Sequence, residues 1–274
     1  MTWSKLSQLL TKDPELTLIY SMNLTQLSSF FYPTLKKPQD FYYDLHSISP
    51  IETTSSYLQK SIHVLTYFDV DYPALLKQTY DPPWVLYIRG DASLLQETKT
   101  LAVVGTRLPT QLGKRSIETL LPPIIKQGYV IVSGLAKGID RLSHIEAIKH
   151  NGKTMAVIGS GFDYMYPKEN KALYEHLVSK HVVLTEYPPF IPPQKWHFPA
   201  RNRIISGLSK GILVVEAAEK SGSLISADQA LEQGRDVFAV PGPIFSPVSQ
   251  GTNHLIQQGA KLVRDANDIT EEWS

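Results

Sequence analysis

Apolar residues fall into two patterns along this chain. Over residues 1–57 they recur at helical spacing: Leu6, Leu9 and Leu10, then Leu16 and Ile19, then Leu24, Leu27 and Phe30. Tyr and Phe crowd the stretch that follows, up to Tyr43, around Pro33 and Pro38. The pattern predicts a small helical module in which these aromatics serve as core rather than as base-stacking platforms.

Beyond this module the period changes. Short apolar runs at 101–104, 129–132, 154–158, 182–185, 211–215 and 236–239 alternate with helix-length segments. Such alternation builds βαβ units, and hence an α/β fold with a mostly parallel, doubly wound sheet covered on both faces. We assign it to residues 58–274. Residues 62–90 read as strand, short helix, Pro-Pro turn and strand, decorating one sheet edge. Pro122-Pro123 interrupts a helical stretch, so a break or kink is expected there. Residues 187–199, YPPFIPPQKWHFP, are too proline-rich for helix or strand and predict a loop over the strand ends.

Composition narrows the chemistry. With no cysteine, disulfides, thiol catalysis and Cys-ligated metals are excluded. No apolar run approaches the roughly 18–20 residues of a membrane span. The N-terminus breaks into charge before a signal-peptide core could form, so the expected compartment is the cytosol. Lys and Arg number 27 against 26 Asp and Glu. Any nucleic-acid binding must therefore come from a local cluster.

The first two strands of the alternating run each end in a glycine turn that opens a helix. These turns are Gly105-Thr106-Arg107 and the run from Ser133 and Gly134 through Lys137 and Gly138 to Asp140. Both fall at carboxyl ends of parallel strands, where backbone N–H groups favour anions. A dinucleotide cofactor does not fit, because the first turn has one glycine where three are needed. Ser133 stands where an acidic residue would hold the ribose, and Gly159-Ser160-Gly161 lacks the third glycine. A P-loop is absent too, so no cofactor is expected. Arg201-Asn202-Arg203 opens a further helix after the proline loop. Repeated small residues and arginines along one edge suit a polymer of phosphates. Taken singly, Arg107 and Arg203 read better as ordinary surface or ion-paired arginines, and it is their shared placement at strand ends that brings the phosphate reading level. Asp140 and His144 share a helix face, yet they supply only part of a metal site, and Asp140 reads better as a first-turn acceptor of N–H bonds. Ser221-Gly222-Ser223 is no nucleophile elbow, and a helix is expected over 226–233.

Together the motifs VVGTR, SGLAKGID, IGSGFDYMYPKEN, TEYPP, FPARNRIISGLS, VVEAAEKSGSLISADQALEQGR, FAVPGP and GTNHLIQQGA resemble the DNA-processing protein A family, DprA or Smf, over residues 62–263. The resemblance implies an extended Rossmann-like domain that binds single-stranded DNA and assists loading of the RecA recombinase in natural transformation. It implies no nucleotide cofactor, no catalytic reaction, and a homodimer formed through residues 236–263. By the same resemblance, Gly105, Thr106 (a mild departure from Ser or Ala) and Arg107 form the DNA-binding turn. Lys168 and Asn170 belong to the Tyr-Pro-x-x-Asn segment, while Ser133, Gly134, Lys137, Gly138, Arg201, Asn202 and Arg203 line the same pocket. Phe162, Tyr164 or Tyr166 would contact bases. Residues 1–57 match the family's sterile-alpha-motif-like module only in size and helicity, and no C-terminal winged helix is expected before Ser274. The competing class is a Rossmann-like phosphoribohydrolase, whose PGGxGTxxE run has its nearest counterpart at 221–228, without the double glycine or the glutamate.

Overall fold

The computed structural model describes residues 3–32 and 37–273; Pro33 and Ser274, named above, lie outside them. The chain divides into two compact units, Met1–Ile62 and His63–Ser274.

In the first unit, helices α1 (Trp3–Lys12), α2 (Leu18–Ser21), α3 (Leu24–Phe30), α4 (Pro38–Ser47) and α5 (Pro50–Gln59) are described. Leu9, Ile19, Leu27 and Phe31 are buried together, with Phe30 and Phe41 packed edge-on to Phe31. Tyr32 and Tyr43 face outward, so the aromatics divide between core and surface. The buried Asp13 carboxylate accepts the N–H groups of Thr17 and Ile19 at 3.0 and 2.9 Å, and Asn23 with Gln26 closes a capping box on α3.

The second unit carries strands β1 (His63–Thr66), β2 (Val85–Gly90), β3 (Thr100–Val104), β4 (Val130–Ser133), β5 (Thr154–Val157), β6 (Val182–Thr185), β7 (Gly211–Val214), β8 (Asp236–Ala239) and β9 (Lys261–Leu262). They form one sheet in the order β1-β2-β6-β5-β4-β3-β7-β8-β9. From β6 across to β9 every pairing is parallel, while β1 and β2 add an antiparallel edge. Its helices are α6 (Ala74–Lys77), α7 (Gln111–Lys126), α8 (Ile139–Lys149), α9 (Lys171–Lys180), α10 (His197–Gly207), α11 (Gly222–Glu232), α12 (Gln250–Gln257) and α13 (Asn267–Thr270). Strand side chains alternate between two cores. Leu101 and Val103 pack with α7, α8 and α13, whereas Ala102 and Val104 pack with α10, α11 and α12. The sheet is thus covered on both faces, the doubly wound Rossmann-like arrangement. No helix among the described residues is long and apolar enough to cross a membrane.

Three local expectations are corrected. Helix α7 runs unbroken through Pro122 and Pro123, which lie outside the buried stripe of Leu120, Leu121, Ile124 and Ile125 that anchors the helix. Helix α10 begins at His197, before Arg201, because Pro199 falls in the first turn, where its missing N–H has no helical partner to lose. Helix α11 begins at Gly222, four residues earlier than expected.

The chain winds from β3 outward to β6, then returns to β7 on the other side of β3. At this reversal the connections after β3 and β7 diverge to opposite faces and open a crevice at the strand ends.

Candidate nucleic-acid interface

The crevice is built around the turn after β3. Thr106 donates its N–H to the Glu216 carbonyl at 2.7 Å, and its own carbonyl accepts the Ile139 N–H at 3.1 Å. Gly138 sits against this turn with φ +74°, and a Cβ there would lie 2.7 Å from Arg107 Cα. The turn is clamped on both sides, so Arg107 projects outward and is exposed. Its guanidinium lies 6.0 Å from the Phe198 ring centroid, and Phe198 pairs with Tyr166 at 5.9 Å. These three side chains line a cleft of about 670 Å³ together with Lys195, Asn202 and Ser221. Cations beside half-open rings can take phosphate and base at once.

The turn after β4 packs closely around buried charges. A Cβ on Gly134 would come 2.6 Å from Oδ2 of the buried Asp140 carboxylate. Burial pushes the Asp140 carboxyl up, opposed chiefly by Arg201. Arg201 is itself buried; its Nη1 donates to the carbonyls of Gly134 at 2.5 Å and Val157 at 2.8 Å. Ser133 is fully buried and its hydroxyl donates to the Val103 carbonyl at 2.6 Å. The turn after β4 is therefore braced from within. Ser133, expected to line the pocket, instead has its hydroxyl committed to the neighbouring strand. Asp140 lies in the first turn of α8, and His144 is buried against Thr154.

The start of α7 is occupied too. Glu216, buried at the end of β7, accepts the Thr110 N–H at 2.9 Å and the Thr110 hydroxyl. Thr110 in turn caps Leu112 and Gly113. A carboxylate of the chain thus fills the helix N-terminus where a Rossmann dinucleotide places its pyrophosphate.

The remaining predicted residues separate by partner. Arg203 is bound through Nε to Asp81 at 2.9 Å and through Nη1 to Glu186 at 2.7 Å. Burial works against its charge, and the two carboxylates overcome that and raise its pKa. Its expected place in the pocket gives way to the ion-paired alternative. Asn170 is buried and donates to the carbonyls of Leu135 and Ala136. Lys137 pairs with Glu169. Lys168 is exposed, and Asn202 lines the cleft while donating to the Gly222 carbonyl. Gly161 serves loop packing: its N–H donates to the Ile191 carbonyl at 2.8 Å, and the carbonyls of Pro188 and Pro189 leave no room for a Cβ. Among the named aromatics, Phe162 is buried under Arg89, and Tyr164 and Tyr166 are exposed. Sequence reasoning missed Phe198, Lys195 and Glu216. One signal was available, since Lys195 is the only Lys or Arg in the proline loop.

Comparison with known proteins decides the family. The profile described as DNA recombination-mediator protein A matches residues 63–274. The chain belongs to this family. The DNA processing protein DprA of Bacillus subtilis (strain 168) is 52% identical over 218 residues, which cover 80% of this chain and 73% of that one. The X-ray structure of DprA from Streptococcus pneumoniae superposes with a TM-score of 0.81 at 40% identity, covering 99% of this chain and 98% of the other. A Helicobacter pylori DprA structure, described for its single-stranded DNA binding mode, gives 0.70 at 30% identity over 77% of this chain and 95% of that one. For a DNA recombination-mediator protein A chain, the switch-point cleft is the surface to examine.

Proposed function

We propose that this protein binds single-stranded DNA in the cleft at the β3–β7 reversal and acts there as a recombination mediator, loading RecA onto incoming DNA in natural transformation. The observation that carries the reading is the Arg107 guanidinium poised at the Phe198 ring, with Tyr166 and Lys195 in the same wall. Phosphates engage Arg107, Lys195 and Lys168, and bases meet Phe198 and Tyr166. Gly105, Gly134, Gly138, Asn170 and Arg201 act indirectly, by fixing the turns. The protein works by binding in the cytosol, as a homodimer joined through residues 236–263, and no chemical step is assigned. A cleft with few cations also agrees with the near-neutral charge of the chain.

The test is fluorescence anisotropy with labelled single- and double-stranded oligonucleotides at two salt concentrations. Preference for the single strand with a clear salt slope is expected. Equal binding of both forms, or none, would overturn the reading.

A further inference from the structure

Lys137 and Glu169 form an ion pair at the mouth of the cleft, between the turn after β4 and the 3-10 segment Lys168–Asn170. The two side chains are 47% and 50% exposed, so the pair stands in water rather than in the core. Lys137 lies in a wall shared with Arg107, Tyr166 and Phe198.

The two segments do not depend on this pair to stay together. Asn170, buried next to Glu169, holds the Leu135 and Ala136 carbonyls at 2.9 and 3.3 Å. An exposed ion pair adds little to folding in any case. Its effect is on what Lys137 can bind, because a carboxylate occupies the ammonium where a phosphate oxygen would sit. Arg107, Lys168 and Lys195 form no direct ion pair with a carboxylate among the described residues, although Arg107 acts electrostatically on the buried Asp140.

We infer that Glu169 is a built-in competitor for the phosphate backbone, which shares Lys137 with the strand and so limits how tightly the cleft holds single-stranded DNA. The inference rests on the single-stranded DNA reading above. A mediator that passes its strand to another protein gains from a contact that an internal carboxylate can take back.

The experiment is a double-mutant cycle read by anisotropy of a labelled oligothymidine at low salt, with Glu169→Gln, Lys137→Ala and the double variant. Glu169→Gln is expected to bind about 1.4-fold to fivefold tighter, the range an exposed pair spans. In the Lys137→Ala background the same change is expected to do almost nothing. An equal gain in both backgrounds would reduce Glu169 to general repulsion and overturn the inference, as would no gain at all. Asn170 is untouched, so an unchanged thermal midpoint serves as the folding control. Failure of the broader reading looks different: the unmodified chain would bind no single strand, or Arg107→Ala would bind as well as it does. If the unmodified chain binds and Arg107→Ala is weakened while Glu169→Gln is neutral, the inference alone falls.

Discussion

Arg201 Nη1 lies 2.5 Å from the carbonyl oxygen of Gly134, so a buried cation on α10 holds the turn that follows β4. The same nitrogen reaches the Val157 carbonyl at the end of β5, tying two strand ends to one helix. Removing the guanidinium leaves two buried carbonyls unpaired and deprives the Asp140 carboxylate of its nearby cation. Arg201→Ala is therefore expected to lower stability by about 3–5 kcal/mol, the cost of breaking a buried charge pair. Urea denaturation at neutral pH measures this. An unchanged midpoint would mean that Arg201 is free for a ligand after all.

Arg107 and Lys168 are exposed, and their loss should affect binding without affecting the fold. Each alanine variant is expected to weaken binding to an oligothymidine and to flatten the log–log salt slope by about 0.7, the value of one single-strand phosphate contact. Thermal midpoints should stay put, since surface changes of this kind stay within about 0.5 kcal/mol. Arg203→Ala should do the opposite and destabilise, because Asp81 and Glu186 lose their shared partner. Weakened DNA binding by Arg203→Ala with full stability would contradict this division.

Gly138 couples backbone conformation to the site. At φ +74° and ψ −126°, close against the Arg107 backbone, it has room for no side chain. Gly138→Ala is expected to displace the Arg107 turn and reduce single-strand affinity at least as much as Arg107→Ala does, along with a loss of stability. Near-normal affinity in a folded Gly138→Ala protein would show that the clamp on Arg107 is dispensable.

Acid should weaken the fold through His144. Thr154 donates its hydroxyl proton to Ile131, so the His144 Nδ1–H donates to the Thr154 oxygen and Nε2 is left bare in the core. Burial, helped by His181 and Arg201, lowers its pKa from 6.5 to about 3. The neutral ring is favoured in the folded state, so its contribution is complete above pH 6.5 and declines as pH falls toward 3, while only the unfolded chain takes up the proton. His181, lowered to about 4 chiefly by burial, adds in the same direction. Stability curves between pH 7 and 4.5 should slope by about 1.4 kcal/mol per pH unit per proton. His144→Leu should remove its share of the slope, and a parallel curve in that variant would refute the assignment.

Much of the architecture was legible because it is local. The runs at 182–185 and 236–239 match β6 and β8 residue for residue, and the glycine turns end β3 and β4 as the pattern implied. Continuous apolar runs separated by helix-length segments are enough to indicate a sheet covered on both faces, and the motif series is enough to indicate the family. The Pro122-Pro123 break failed for an equally physical reason, since the buried stripe on α7 outweighs two prolines on its outer side.

What the sequence could not reveal is the use to which each polar group is put. Arg107, Arg201 and Arg203 look alike as arginines at strand ends, yet one faces the cleft, one holds buried carbonyls and one is locked between carboxylates. Those outcomes depend on Gly134, Val157 and Asp81, which lie 67, 44 and 122 residues from their partners. The second turn looked like an open anion cradle, yet the Ser133 hydroxyl is committed to Val103 and the Gly134 carbonyl to Arg201. Hydrophobic period and turn chemistry are properties of neighbouring residues, so the sequence by itself determined the elements and their layering. Satisfaction of a buried charge or N–H group is a property of whatever the completed fold brings beside it, so only the tertiary structure decided which of these residues remain free to meet DNA.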